Sequence, residues 1–421
     1  MAMFNQAFLE DPYPVYHALR AAGPLQWSPE FCGGAWLLTR HADVAAVLRD
    51  PRFSVQRAGG WANSSGPDAV DGLRGFKKVF ARSLIFADAP RHTRLRRVMN
   101  AGFTPAAVRA AAPQVQAIVD RLLDDILAGA ATAPAVEFDF MRDFARPLPA
   151  LVMAGLLGVD ARDRGDFVAW SDDIAAFIGT PTPTLPIAQR AQRSLGAMSA
   201  YFQQLLPQRR AQPGTDLVSQ LLRAEAGGGI IGINELLAQC CTLLFAGHET
   251  TRNLLGNGML ALLQHPREWQ TLKDTPGLLS CAVKELLRFE SPVQYTGRRL
   301  KADVELHGQR LRRGQLVIPL IGAANRDPAK FTDPDRLNLR RNEGPHLSFG
   351  HGAHVCIGAT LTYLEAEIAL RTLMERMPDL VLAEAAPAWA GNAAYRGLTR
   401  LPLRLAPQAP AAAVQGTQAR A

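Results

Sequence analysis

Residues 233–263 constrain the fold more than any other stretch. Apolar side chains recur there at helical spacing for about thirty residues, and at 1.5 Å each such a helix spans roughly 45 Å, enough to cross a whole domain. Its middle breaks the pattern. Ala246, Gly247, His248, Glu249, Thr250 and Thr251 stand in succession, residues that weaken a helix and carry polar groups into an interior. An exposed polar turn does not fit Leu243, Leu244 and Phe245 before it, nor Leu254 and Leu255 after it. A local rule broken inside a strong helix marks a functional position.

The second constraint is the run Phe-Gly-His-Gly-Ala-His-Val-Cys-Ile-Gly at 349–358. Gly350, Gly352 and Gly358 let this backbone turn tightly and approach something flat or bulky. An amphipathic segment at 357–374 follows and reads as a helix, which places Cys356 at its mouth. Unpaired N–H groups and the positive end of a helix dipole favour thiolate over thiol. Such a thiolate is either a nucleophile or a metal ligand, and the loop alone leaves both open.

At 421 residues, 48% hydrophobic and 20% charged, the chain has ample material for a core. No linker, charge block or internal repeat divides it, so it reads as one compact unit over 1–405 with a disordered Ala/Pro/Gln-rich tail at 406–421. The first sixteen residues lack the apolar centre of a signal peptide. The longest uncharged apolar run, 236–247, is too short to span a bilayer. Five scattered cysteines match neither a zinc site nor a redox pair, which points to a reducing cytoplasm. The net charge of +8 comes without a Lys/Arg block bearing interleaved aromatics, so nucleic acid is not the expected partner.

Other helices are expected at 11–22, 42–48, 106–127, 144–157, 163–177, 188–206 and 281–289, with strands at 36–39, 304–306, 309–311 and 316–320. The glycine-rich stretch 53–86 and the proline-rich break 179–184 read as mobile loops over a site. Pro90 starts a helix that carries His92 and Arg96 on one face, by default a solvated basic end. Glu285 and Arg288 are spaced for a surface ion pair of little worth.

Together these pieces resemble the cytochrome P-450 family, the haem-thiolate monooxygenases. Phe349, Gly352, His354, Cys356 and Gly358 match the family's cysteine-loop signature, and Ala246, Gly247, Glu249, Thr250 and Thr251 match its long-helix motif. Glu285 and Arg288 match its Glu-x-x-Arg element, Arg336 stands where a joining arginine is expected, and His92 and Arg96 match its His-x-x-x-Arg pair. The resemblance runs from about residue 11 to about residue 405. It implies a mainly α fold with small β-sheets and a haem b between the long helix and the cysteine-loop helix.

In that likeness Cys356 is the iron ligand, tempered by N–H groups around Ile357 and Gly358, and Phe349 and Gly350 border the haem on its side. His92, Arg96, Arg298 and His354 are the partners of the propionates. Gly247 and Ala246 make room for dioxygen, while Glu249 and Thr250 supply protons. Glu285, Arg288 and Arg336 form a buried network, and His248 points away from the iron. Pocket walls are expected from 53–86, 167–195, Leu243, Ala246, 291–296 and 392–398. The implied activity is insertion of one oxygen atom into a small or medium apolar molecule by a monomeric enzyme. Electrons come from NAD(P)H through a ferredoxin or flavodoxin docked on Arg94, Arg97, Arg340 and Arg341. Peroxide-driven oxidation, oxidative coupling and a non-catalytic haem sensor are the alternatives. A cysteine hydrolase with His354 as base lacks a third member.

Overall fold

The computed structural model describes residues 3–31, 33–56, 79–130, 137–160, 163–180, 183–383 and 387–405. The expected loop at 53–86 falls largely outside these residues, as do part of the 179–184 break and the whole 406–421 tail. The architecture is mainly α with small sheets. In chain order the helices are α1 (Gln6–Glu10), α2 (Tyr13–Ala22), α3 (His41–Arg49), α4 (Arg91–Asn100), α5 (Pro105–Ala130), α6 (Pro147–Leu157), α7 (Arg164–Ile178) and α8 (Leu185–Ala211). They continue with α9 (Leu217–Ala226), α10 (Ile233–Gln264), α11 (Pro266–Asp274), α12 (Leu279–Phe289), α13 (Ile321–Ala324) and α14 (Ala359–Arg376). Among the described residues no helix is long and apolar enough to cross a membrane.

The long helix α10 is the axis of the molecule. It packs against α6, α7, α8 and α12, and more lightly against α14. Between Glu235 and Leu262 every residue is buried except Ala246, Gly247, Thr250 and Arg252. A helix buried on all sides is a core element, so the four exceptions show where its packing is interrupted. The cysteine-loop helix α14 lies on the other side of the interior, backed by α5, and Thr251 and Thr362 Oγ1 atoms, 3.4 Å apart, bring the two helices together.

Five strands form one sheet in the order β1 (Gln26–Ser28), β2 (Ala35–Leu38), β8 (Leu316–Pro319), β5 (Arg298–Leu300) and β3 (Phe53–Ser54), while β4 (Glu137–Asp139) belongs to a second sheet and β6 (Val304–Leu306) and β7 (Gln309–Leu311) pair with each other. β2 and β8 run parallel with Leu37 opposite Ile318, and β5 pairs antiparallel with β8, placing Arg298 opposite Val317. This sheet holds Arg298 against the interior, where it is 5% exposed.

Glu285 and Arg288 are not a surface pair. Both side chains are 2% exposed, and Arg288 Nε and Nη2 donate to the two Glu285 oxygens at 2.7 and 2.9 Å. The third member is Arg341, whose Nε donates to Glu285 Oε1 at 3.1 Å, joined by the Asn338 N–H at 3.0 Å. Arg336, expected in that role, has an exposed side chain and offers only its carbonyl, to Arg288 and Arg341. Arg288 Nη1 also reaches the carbonyls of Asn325 and Pro334, both at 2.8 Å. Asn325 in turn accepts from the Leu347 N–H at 2.7 Å and donates to Ser348 at 2.8 Å. The network therefore runs from α12 to the residues just ahead of the cysteine loop.

One buried carboxyl has no such company. Glu365 on α14 is fully buried with both oxygens unpartnered, and burial pushes its pKa up to about 8 from 4.5. Between these two values the folded chain keeps a proton that the unfolded chain has lost. Stability therefore falls as pH rises through this window, by at most about 1.4 kcal/mol per pH unit. Glu365→Gln is expected to remove this slope, so that its stability gain over wild type in urea titrations grows from pH 5 to pH 8. A gain independent of pH would show that the carboxyl is not protonated in the fold.

Candidate active site

The interruption in α10 faces the cysteine loop across a cavity of about 350 Å³. Ala246, Glu249 and Thr250 line it from α10, and Phe349, Gly350, His354 and Cys356 line it from the loop. Ala246 and Thr250 are one turn apart, so both side chains fall on the same face. His92 and Arg96 of α4 and Arg298 of β5 complete one side. The default reading of His92 and Arg96 as a solvated helix end is thereby overturned.

The loop is shaped by its backbone. Cys356 N–H donates to the Phe349 carbonyl at 2.8 Å, and Gly350 N–H to that of Leu347 at 2.8 Å. Gly352 has φ +76° and lies so close to α3 that a Cβ would sit 3.0 Å from the Arg49 Cα, a position only glycine fills without strain. Helix α14 starts at Ala359, two residues later than the amphipathic pattern alone predicts. As a result the N–H groups pointing at the Cys356 sulfur are those of Gly358 and Ala359, rather than Ile357 and Gly358. Gly358 carries one of these two N–H groups and does not line the cavity. Phe349 packs edge-on to Tyr363, with ring centres 5.3 Å apart.

Cys356 is exposed to the cavity while its sulfur lies deep in the protein. Burial raises its pKa, and the two N–H groups and the Arg96 charge offset this only in part. Burial thus opposes the thiolate that the helix mouth favours. A coordinated metal ion would decide for the thiolate, since a bound thiol is deprotonated outright.

Gly247 has another role than the one expected. It does not line the cavity, α10 runs unbroken through it, and a Cβ there would lie 2.6 Å from the Met153 sulfur of α6. Its absent side chain serves helix packing. Glu249 is 4% exposed, and its Oε1 accepts from Arg252 Nη2 at 2.5 Å and from Asn253 at 3.3 Å. Burial raises its pKa despite Arg252. His248 is buried and absent from the cavity wall.

Leu243 does not line the cavity either, and Phe245 takes the place expected of it. Val55, Leu84, Ile178, Val293 and Tyr395 do line it, from segments the sequence pointed to. Phe31 and Ile318, from segments it did not single out, are added. Two of the arginines expected on a docking surface are used internally. Arg94 forms a double hydrogen bond with Glu235 at 2.7 and 2.8 Å, and Arg341 closes the Glu285 network.

The family model "Cytochrome P450" matches residues 65–274 and 267–378. Cytochrome P450 monooxygenase PikC of Streptomyces venezuelae is 41% identical over 411 residues, 96% of this chain and 93% of the relative. The chain belongs to the cytochrome P450 family. The vitamin D(3) 25-hydroxylase of Pseudonocardia autotrophica is 37% identical, with 96% of each chain covered. Among solved structures, P450BioI in complex with an acyl carrier protein ligated to hexadec-9Z-enoic acid superposes with a TM-score of 0.88. It is 35% identical, with 95% of this chain and 100% of that chain covered.

As a cytochrome P450 monooxygenase the protein is an oxidoreductase that uses haem and dioxygen, and its cavity fits such a group. His92 and His354 rings lie 4.0 Å apart, and Arg96 and Arg298 flank them. The His92 Nε2 is buried without a partner. Burial and the neighbouring cations hold both imidazoles below their usual pKa, His354 at about 3. Asp88 acts on both, and Arg96 donates to the Asn100 and Val355 oxygens, neither of them charged, so the cluster takes further counter-charge. A dicarboxylate would supply it.

Proposed function

We propose that this P450 inserts one atom of dioxygen into a medium-sized, neutral, apolar molecule, in the range of polyketide, fatty-acyl or terpenoid compounds. The observation that carries the reading is the cavity between α10 and α14. It has Cys356 on one wall, Thr250 on the opposite wall, a basic cluster at one side and otherwise mainly apolar residues. Cys356 would hold the iron of a haem b, and His92, Arg96, Arg298 and His354 would hold its propionates. When bound, the haem supplies the oxygen-activating redox chemistry, which a thiolate ligand favours.

This chain's own residues do the rest. The apolar walls bind the substrate and keep water out. Thr250, facing the cavity, donates a hydrogen bond where oxygen is reduced, and Glu249 one residue earlier replenishes its proton. Gly358 and Ala359 fix the Cys356 sulfur by hydrogen bonds that moderate its charge. A cytoplasmic monomer fits the reduced cysteines. A ferredoxin or flavodoxin is the electron donor on this reading. Arg97 and Arg340, both exposed, remain from the expected docking set.

Thr250→Ala is expected to cut product formed per reducing equivalent by roughly an order of magnitude, with the balance appearing as hydrogen peroxide. Unchanged coupling would remove Thr250 from proton delivery. The broader assignment is tested by the spectrum of the reduced protein with carbon monoxide, followed by a screen of fatty-acyl esters, macrolides, terpenoids and aromatics, with free fatty acids as the charged comparison, for spectral shifts on binding. A missing thiolate-type red-shifted Soret band would overturn the role of Cys356, and a preference for charged ligands would overturn the substrate class.

A further inference from the structure

The central helix buries an imidazole that the cavity does not use. His248 is 2% exposed, and one ring nitrogen is held by the Leu244 carbonyl a turn earlier. Its Nε2 is buried with no hydrogen-bond partner. A ring nitrogen of His248, an oxygen of Asp172 on α7 and an oxygen of Glu249 all lie within 4.8 Å of one another. Glu249 Oε2 is also buried and unpartnered. Asp172 reaches the surface, its side chain 32% exposed, and accepts from Arg252 at 2.8 Å and from Arg146. An unpaired buried polar atom costs about 1–3 kcal/mol, and these two neighbouring residues carry one each, while the three clustered ligand-type atoms lie at separations that one water bridges.

Three ligand atoms so close also resemble a metal site, but Arg252 already spans both carboxylates. The local charge is balanced by Arg252 and Arg146, and a divalent cation would have to displace the former. Burial and the Arg252 charge hold the imidazole well below its usual pKa, at about 4, against the opposite pull of Asp172. It is thus a neutral base with a vacant nitrogen. The charged groups facing it are Arg252 and Glu249 of its own helix, Asp172 of α7, and Arg146 at the start of α6.

We propose that His248 is the proton-transfer residue joining solvent-touching Asp172 to Glu249, so that protons enter the cavity from the α7 side of the central helix. An O–H bond of Asp172 or its bridging water breaks as an N–H bond forms at Nε2. That N–H bond then breaks as an O–H bond forms at Glu249 Oε2. No electrons move, and the imidazole returns to its neutral form. His248 acts through Glu249, so the proposal rests on the roles given above to Glu249 and Thr250.

The test uses the haem-loaded protein as its diamagnetic ferrous carbon monoxide complex. With ¹³C-labelled histidine, Asp172→Asn should lower the His248 titration midpoint, because it removes a charge that raises it. Infrared difference spectra on carbon monoxide photolysis should show a Glu249 carboxyl band that shifts in His248→Phe. The same variant should bind carbon monoxide as wild type does while losing several-fold more reducing equivalents to peroxide. His248→Gln serves the same measurements if the phenylalanine variant fails to fold. A carboxyl band and a peroxide share both unchanged in the folded variant, or an unmoved His248 midpoint in Asp172→Asn, would overturn the relay. Wild-type protein without a thiolate-type band would instead overturn the haem-site assignment, and the relay with it.

Discussion

Replacing Glu285 by alanine is expected to cost about 3–5 kcal/mol of stability, because it leaves the Arg288 guanidinium buried without a carboxylate and takes from Arg341 one of its two, Glu343 remaining. Arg288 is 2% exposed and Arg341 6% exposed at the side chain, so neither turns to water without moving backbone. The damage should not stay on α12. Arg288 is bonded to the Asn325 carbonyl, and the Asn325 side chain holds Leu347 and Ser348, next to Phe349. Haem content of the purified variant should therefore fall along with its urea midpoint.

Two further substitutions separate this network from the one that the motif pattern implies. Arg341→Ala should destabilise strongly, since it removes a buried partner of Glu285. Arg336→Ala should stay within about 0.5 kcal/mol of wild type, as exposed substitutions usually do, because only its backbone carbonyl takes part. Equal effects of the two would restore Arg336 to the network. A Glu285→Ala protein within about 1 kcal/mol of wild type would show that the cluster does not hold the loop.

What the sequence made legible follows from how local each signal is. The long helix was expected at 233–263 and runs Ile233–Gln264, because its periodicity extends over many turns. The cysteine loop was legible because its glycines and Cys356 act through neighbouring backbone. The arginine that closes on Glu285 was not, since a motif places a residue along the chain and says nothing of where a meander turns its side chain. Helix α11 was missed because Pro266 reads equally as the end of α10 and as the first turn of the next helix. Strand β3, of two residues, is too short for alternation to register. Asp172 sits in an ordinary amphipathic helix, and only packing of α7 on α10 brings it to Glu249. Gly247 is expected from the family likeness to make room for dioxygen, whereas Met153, almost a hundred positions earlier, decides its size.

Cys356→Ala is expected to abolish monooxygenase turnover while leaving the fold in place. The sulfur is exposed to the cavity and fills no packed space, and the loop is held by the Cys356 N–H to Phe349 carbonyl bond, which alanine keeps. The N–H groups of Gly358 and Ala359 lose their acceptor, but they belong to the first turn of α14 and take water into the space the sulfur leaves. Stability should therefore change by no more than about 1 kcal/mol. The basic cluster of His92, Arg96, Arg298 and His354 is untouched, so haem should still bind, more weakly, with its propionates held. Its reduced carbon monoxide complex should lack the red-shifted thiolate band, and turnover should drop by roughly three orders of magnitude, about 4 kcal/mol of barrier. Cys356→Ser, which keeps a ligand oxygen in nearly the same place, separates the presence of a ligand from the electron donation of sulfur. If the serine variant turned over like wild type, the thiolate would be dispensable, and the reason for placing a cysteine on this cavity wall would have to be sought elsewhere.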